Sequence, residues 1–248
     1  VQPVSVLRKL RLYLQFYDHI KAMRASSDLT LMTDDGTKGD RVLKYLRQRH
    51  SGEILFFKNG VDSPQLDCVS QTYQKYHAHG DIVFSSVSRL QRWKRVDRSI
   101  EIFAKFNLRF NNSHYYIVGD GPEIENLKKL AYQKGLHGCV SFLGAQEKHQ
   151  IYGLLKDTKY FLSSYELSNL GNPLFEAISC GAIVVTLNNG NTSEMIVDGV
   201  TGLLSDEHDF SKNALKLIEC ESSPDSAAAM RAAAKDHLAT NFESWNQR

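Results

Sequence analysis

The sequence predicts an α/β fold built on a doubly wound parallel sheet, and three observations predict it. Short apolar runs rich in β-branched and aromatic residues recur at Ile82–Val87, Tyr115–Val118, Val140–Leu143, Tyr160–Leu162 and Ile183–Thr186. Strand and helix patterns alternate five times between Asp81 and Leu204. The βα connections are short, and strands apolar on both faces belong in a sheet covered by helices on both sides. Right-handed crossovers then place every strand-to-helix loop on one edge, the carboxyl edge, where open sheets of this kind bind ligands.

Ahead of that region, Leu7 to Arg24 suit an amphipathic helix with Leu10, Leu14, Tyr17 and Met23 among its apolar positions. Leu29 to Thr33 read as a strand, Lys38 to Arg47 as a helix begun by Asp34, Asp35 and Gly36, and Ile54 to Phe57 as a strand ending at Asn59 to Asp62. A polar stretch, Ser63 to Gly80, follows as a linker. Past the first strand of the main region, Val96, Ile100 and Phe103 form the buried stripe of a helix. Pro122 suits the first turn of the next helix, with Asp120 as its cap. A short strand ends at Gly144, and the apolar run through Ser164 leads to a helix from Leu174 to Cys180, closed by Gly181. Ala227 to Ala234 are strong helix formers.

Four junctions on the carboxyl edge carry polar residues. After the first strand, Arg89 and Lys94 fall in the loop, where a guanidinium and an ammonium can clamp a diphosphate. A solvated basic loop is the plainer alternative, since Arg92, Arg95 and Arg98 are close by. At the second junction, Gly119 and Gly121 flank Asp120 and let the backbone come close to a ligand. Proline follows this single GxG, so it is not a dinucleotide-binding GxGxxG. The third junction closes at Leu143 and Gly144. The fourth, from Glu166 through Ser168, Asn169, Leu170, Gly171, Asn172, Pro173 and Leu174 to Glu176, places two carboxylates and a turn before a helix. A helix N-terminus there offers N–H groups to an anion, and a carboxylate one turn inside accepts hydrogen bonds from ribose hydroxyls. An ordinary corner capped by Asn169 or Asn172 is the alternative.

Taken in order, VSRLxxxKRVD, IVGDGPE, VSFLG, SNLGNPLFEAISCG and NTSEMIVDGVTGLL resemble the nucleotide-binding domain of retaining glycosyltransferases of family 4. The resemblance runs from about Ile54 to Leu204 and implies a Rossmann-like, GT-B carboxyl-terminal domain with a remnant of the amino-terminal domain. It implies the tail of an acceptor domain and an interdomain crossing over residues 1–62, a linker over 63–80 and a donor-binding domain over 81–248. A complete single domain is the alternative. By this resemblance Arg89 and Lys94 hold the donor diphosphate, Glu176 binds the ribose, and the backbone at Leu143 and Gly144 reads the base. The family has seven residues between its paired glutamates, whereas Glu166 and Glu176 have nine between them. Aligned on Glu176, Ser168 stands at the first glutamate and Asn169 at a usual glycine. Either Ser168 replaces the sugar-contacting carboxylate or Glu166 reaches in.

Breaking a sugar–diphosphate bond builds negative charge on the leaving phosphate, and each good fixed cation there lowers the barrier by about 2–4 kcal/mol. No Asp-x-Asp is present to hold a metal, so metal-independent transfer is expected, with no cofactor beyond a UDP- or GDP-sugar donor. Retention of the donor's anomeric configuration is implied by the resemblance. The partners it implies are a glycan or lipid-linked acceptor and an amino-terminal domain. A GT-B epimerase, a phosphorylase (for which no pyridoxal lysine is identifiable) and a non-catalytic nucleotide-sugar-binding relative are the other readings.

Composition adds exclusions. The 248 residues carry a net charge of +2 with dispersed basic residues, which gives no footprint for nucleic acid. The four cysteines form no C-x-x-C pair and suit reduced thiols in a cytosolic compartment. His77 and His79 lack a third metal ligand. No run is long enough to span a bilayer. The expectation is a cytoplasmic protein, in peripheral contact with the cytosolic face of a membrane if its acceptor is lipid-linked.

Overall fold

The computed structural model describes residues 14, 17–25, 27–33, 39, 41, 52–57 and 82–242. The chain divides into two compact units, Val1–Lys58 and Asn59–Arg248. In the first, helix α1 (Tyr17–Arg24) precedes strands β1 (Leu29–Thr33) and β2 (Glu53–Phe57). The strands pair in parallel, with Leu29 opposite Glu53 and Thr33 opposite Phe57. Of the helix expected over 38–47, only residues 39 and 41 are described, both helical. The start of the opening helix, Asp34 and Asp35, the turn at 59–62, the linker over 63–80, Cys68, His77 and His79 lie outside the described residues.

The second unit is a six-stranded parallel sheet between two layers of helices. Its strands are β3 (Ile82–Val87), β4 (Ser113–Val118), β5 (Val140–Gly144), β6 (Tyr160–Ser163), β7 (Ile183–Leu187) and β8 (Leu203–Ser205). Their order is β5-β4-β3-β6-β7-β8, and every neighbouring pair is parallel. The helices are α2 (Val96–Asn107), α3 (Ile124–Gln133), α4 (Lys148–Asp157), α5 (Asn172–Cys180), α6 (Thr192–Met195), α7 (Lys212–Glu221) and α8 (Pro224–Asn241). The chain builds outward from β3 to β5, then crosses back to lay β6 on the other side of β3. That reversal makes a topological switch point between β3 and β6, and the crevice beyond their carboxyl ends is where such sheets place ligands.

The alternation along β3 shows how the two cores form. Ile82 and Phe84 pack with Val96, Ile100, Phe103 and Phe106 of α2 and with Leu127 and Ala131 of α3. Val83 and Val87 point the other way, into Tyr152 and Leu155 of α4 and Leu174 and Ile178 of α5. The spacing of Val96, Ile100 and Phe103 turns one face of α2 onto the sheet, as the sequence predicts. Phe84 sits at the centre of an aromatic group, with ring centroids 5.1 Å from Phe103, 4.8 Å from Phe106 and 5.1 Å from Tyr160. The five expected strands are present. The sixth, β8, was not expected; it is three residues long and adds to β7 with Val185 opposite Leu203.

Cys139, Cys180 and Cys220 are free. Among the described residues no helix is long and apolar enough to cross a membrane. Phe84→Ala should lower the unfolding free energy by about 3–5 kcal/mol, because a fully buried ring leaves a cavity. Urea unfolding checks this, with Leu108→Ala (88% exposed) as a control expected within about 0.5 kcal/mol of wild type.

Candidate functional site

The loop after β3 carries the cations. Arg89 is exposed, and Arg92 to Lys94 form one 3-10 turn. Arg95 follows in a left-handed conformation, φ 47°, unusual for a side chain with a Cβ and costing about 1–2 kcal/mol. Its guanidinium offsets that cost by donating to Asp97 at 3.0 and 2.9 Å and to Glu166 at 3.0 Å. Glu166 is also tied through its backbone N–H, which donates to the Trp93 carbonyl at 3.0 Å. Lys94 sits against two rings, its Nζ 4.1 Å from the Trp93 centroid and 3.6 Å from that of Tyr165. Burial first, and the neighbouring Arg89 charge second, push its ammonium down to a pKa of about 8.

The second junction differs from expectation in two respects. Gly119 and Gly121 do allow a close approach, but to the neighbouring loop: a Cβ would collide with the Ser88 carbonyl at Gly119 and the Leu90 carbonyl at Gly121. The parallel ladder thereby runs on past the strands. Ser88 N–H donates to Val118 at 3.0 Å, and Leu90 N–H donates to Asp120 at 2.8 Å. Asp120 is not the helix cap, since α3 starts at Ile124 after Glu123, with Pro122 ahead of it. The Asp120 carboxylate instead accepts from Gly121 N–H at 2.7 Å. At the third junction Gly144 takes φ 68° and accepts from Gly119 N–H at 2.8 Å, while the Leu143 carbonyl accepts from the Gln146 side chain at 2.7 Å.

At the fourth junction neither Asn169 nor Asn172 caps the helix. Gly171 holds the cap position without a side-chain bond, and Asn172 and Pro173 open α5. Asn169 is completely buried and serves as an anchor. Its carbonyl oxygen accepts from Ser163 Oγ at 2.8 Å and Tyr165 N–H at 3.0 Å, and its amide donates to Asn189 at 2.6 Å. Leu170 and Leu174 are buried as well, so Asn169, Leu170 and Leu174 can meet a ligand only through backbone. Ser168 is half-buried, and its hydroxyl accepts from Leu170 N–H at 3.3 Å.

The two glutamates face opposite layers. Glu166 lines a cleft of about 260 Å³ with Arg92, Arg95, Glu123 and Leu127, on the side of α2 and α3. Glu176 lies on the side of α4 and α5, half-buried, where Tyr152 Oη donates to it at 3.3 Å. Burial raises its carboxyl pKa, and the Lys148 charge and the Tyr152 bond oppose that rise without cancelling it. Lys148 and Tyr152 stand one turn apart on α4. Sequence reasoning passed over Tyr152 and Tyr165, and counted Arg95 only as part of a solvated basic loop. The (i, i+4) spacing of Lys148 and Tyr152 was a usable signal, whereas Arg95 and Tyr165 act through contacts distant in the chain.

Residues 71–237 match the family described as Glycosyl transferases group 1. The chain is 28% identical over 173 residues to an uncharacterized glycosyltransferase of Methanocaldococcus jannaschii, covering 67% of this chain and 44% of that protein. It is 27% identical over 226 residues to a GDP-mannose-dependent alpha-(1-6)-phosphatidylinositol monomannoside mannosyltransferase of Mycolicibacterium smegmatis, covering 84% of this chain and 58% of that protein. The structure of Anabaena HepE, solved with UDP and glucose, shares the fold with a TM-score of 0.73 at 19% identity, over 93% of this chain and 63% of that one. The chain spans about half the length of the curated relatives it matches.

A raised folded-state pKa means that burying ionised Glu176 costs stability. The cost is absent below the unfolded value near 4.5 and fully present once pH exceeds the folded value. Glu176→Gln should therefore melt at the same temperature as wild type near pH 4 and at a higher one at pH 8. A variant that melts lower at pH 8 would show that the Tyr152 and Lys148 contacts outweigh burial.

Proposed function

The chain belongs to the group 1 glycosyl transferases, and from that membership we propose that it forms the donor-binding part of a glycosyltransferase. In this reading the enzyme moves a hexose-type sugar from a UDP- or GDP-sugar to a glycan or lipid-linked acceptor, with retention and without a metal. The observation that carries it is the placement of Arg89 and Lys94 after β3 and of the α5 N-terminus and Glu176 after β6, flanking one switch point of the sheet. Arg89 and Lys94 take the diphosphate and stabilise charge on it as the sugar leaves. The dipole of α5, whose amino end lies at this edge, adds to that field, although Pro173 has no N–H and the Gly171 and Leu174 N–H groups are already bonded to the Asn169 and Gly171 carbonyls. Glu176 accepts from the ribose hydroxyls, and backbone at Leu143 and Gly144 meets the base.

Ser168, not Glu166, takes the position next to the transferred sugar. What supports this is that Glu166 is held by Arg95 on the far side of the loop, while Ser168 precedes the α5 N-terminus. Both donor classes occur among similar proteins, one named for GDP-mannose and one solved with UDP and glucose. The mannosyltransferase is named for phosphatidylinositol monomannoside, which favours a lipid-linked acceptor and work at a membrane surface.

Calorimetric titration of this chain with UDP, GDP and ADP in EDTA tests the reading. One nucleotide should bind at micromolar to millimolar concentration. Arg89→Ala should weaken it roughly 10- to 100-fold, the worth of a charge-assisted hydrogen bond. No binding of any nucleotide, or binding only with added Mg²⁺, would overturn it. In the full-length enzyme, Lys94→Ala should cut kcat by about 30- to 1,000-fold, and unchanged turnover would remove Lys94 from the mechanism.

A further inference from the structure

Among the described residues, Lys94 is a cation without a counter-ion. Arg89 is the charge that acts on it, Arg92 and Arg95 flank it in the chain, and Asp97 at the start of α2 and Glu166 after β6 sit on Arg95. Arg95 binds both of those carboxylates, and among the described residues no carboxylate lies within ion-pair distance of Lys94. Two rings stand where a counter-ion would. Trp93 comes from the turn after β3 and Tyr165 from the end of β6; their centroids are 6.0 Å apart with planes at 71°.

The Tyr165 ring is fixed, and the Trp93 backbone is tied beside it. Tyr165 is 6% exposed, its N–H donates to Asn169 at 3.0 Å and its hydroxyl to the Val87 carbonyl at 3.3 Å. Burial pushes that hydroxyl's pKa up to about 12, so it stays neutral. Trp93 is tied to the same loop through its carbonyl, which accepts from Glu166 N–H at 3.0 Å. A π face attracts an ammonium but carries no net charge, so it orients the cation without neutralising it.

We propose that Trp93 and Tyr165 are positioning residues that hold the Lys94 ammonium, uncompensated by any carboxylate among the described residues, where the donor's phosphates arrive, and that phosphate binding there draws a proton from solvent onto Lys94. This rests on the nucleotide-sugar reading above. In the free protein near pH 8, burial and Arg89 leave part of the Lys94 population as the amine. A bound diphosphate supplies the missing negative charge, favours the ammonium and so takes up a proton. The sign follows from linkage: affinity is highest below about pH 8 and falls as pH rises through that value, until it exceeds the raised value of the complex.

The test is calorimetry of the full chain with UDP and GDP, at pH 6.5 and 8, in buffers of different ionisation enthalpy. At pH 6.5 no net uptake should occur, since Lys94 is already charged and the nucleotide's terminal phosphate, with a pKa of about 6, sheds a fraction of a proton on binding; at pH 8 uptake should approach about half a proton per nucleotide. Lys94→Arg, always charged, should bind without uptake at either pH. Trp93→Leu should weaken binding roughly three- to thirtyfold and Trp93→Phe should restore most of it, on the scale of a cation–π contact. Nucleotide binding with no uptake at pH 8, or uptake that persists in Lys94→Arg, overturns this inference and leaves the donor-site reading standing. Wild-type affinity in Trp93→Leu overturns the positioning role. Absence of any nucleotide binding removes both readings.

Discussion

The site depends on one close approach, the contact of the 119–121 backbone with the 88–90 backbone. Parallel strands normally part company where their loops begin, yet here the β3–β4 ladder continues through Ser88 and Leu90. Hydrogen bonding at that distance leaves no room for a Cβ at Gly119 or Gly121. The loop bearing Arg89 is therefore strapped to the sheet as an extension of it. Gly119 is in turn bonded to Gly144, so three successive junction loops share one network. Such a mounting would give the proposed phosphate clamp its rigidity, since a fixed cation stabilises developing charge without reorganising at the moment of reaction.

On that mounting, charge is sorted by side. Arg95 collects Asp97 and Glu166 on the α2 face and accepts a strained backbone to do so. Lys94, one residue earlier, is left with aromatic rings and Arg89 for company. Glu176 is burdened in the opposite sense, a carboxylate whose burial outweighs its contacts with Tyr152 and Lys148. An amine pushed down and a carboxyl pushed up, near one sheet edge, are both costs to the free protein that a ligand with the right charges and hydroxyls would relieve. Perturbed groups of this kind gather at functional sites, although burial alone can also produce them.

The fold was legible because its signals are local. Period-two alternation in β3 and the 96, 100, 103 stripe of α2 each need only a short window of sequence. Strand β8 escaped because three residues following a tight turn at Asp198 to Gly202 carry no period. In the site, residue types and loop placement were legible, but partners were not. Asp120 and Asn169 looked like caps because short polar side chains before a helix usually are. One instead closes a local turn and the other joins β6 to the loop after β7, contacts about 20 residues away that no window reveals. The glycines were read as room for a ligand, whereas their first use is room for a neighbouring backbone.

Asn169 also fixes the loop between the two glutamates. Its side chain reaches back to Ser163 and Tyr165 and across to Asn189, so the backbone at 163–165 and at 169 is fixed whatever lies between. Residues 166 to 168 then form a short arch on fixed ends. The arch has two sides, and the side chains divide between them: Glu166 turns to Arg95 above α2, while Ser168 folds back onto Leu170 N–H beside the start of α5. A carboxylate at 166 cannot serve the α5 side without giving up Arg95, whose left-handed backbone is sustained by that bond and by Asp97. The arch therefore separates two chemistries: the carboxylate joins the clasp that holds Lys94's turn in place, and a hydroxyl stands beside the start of α5.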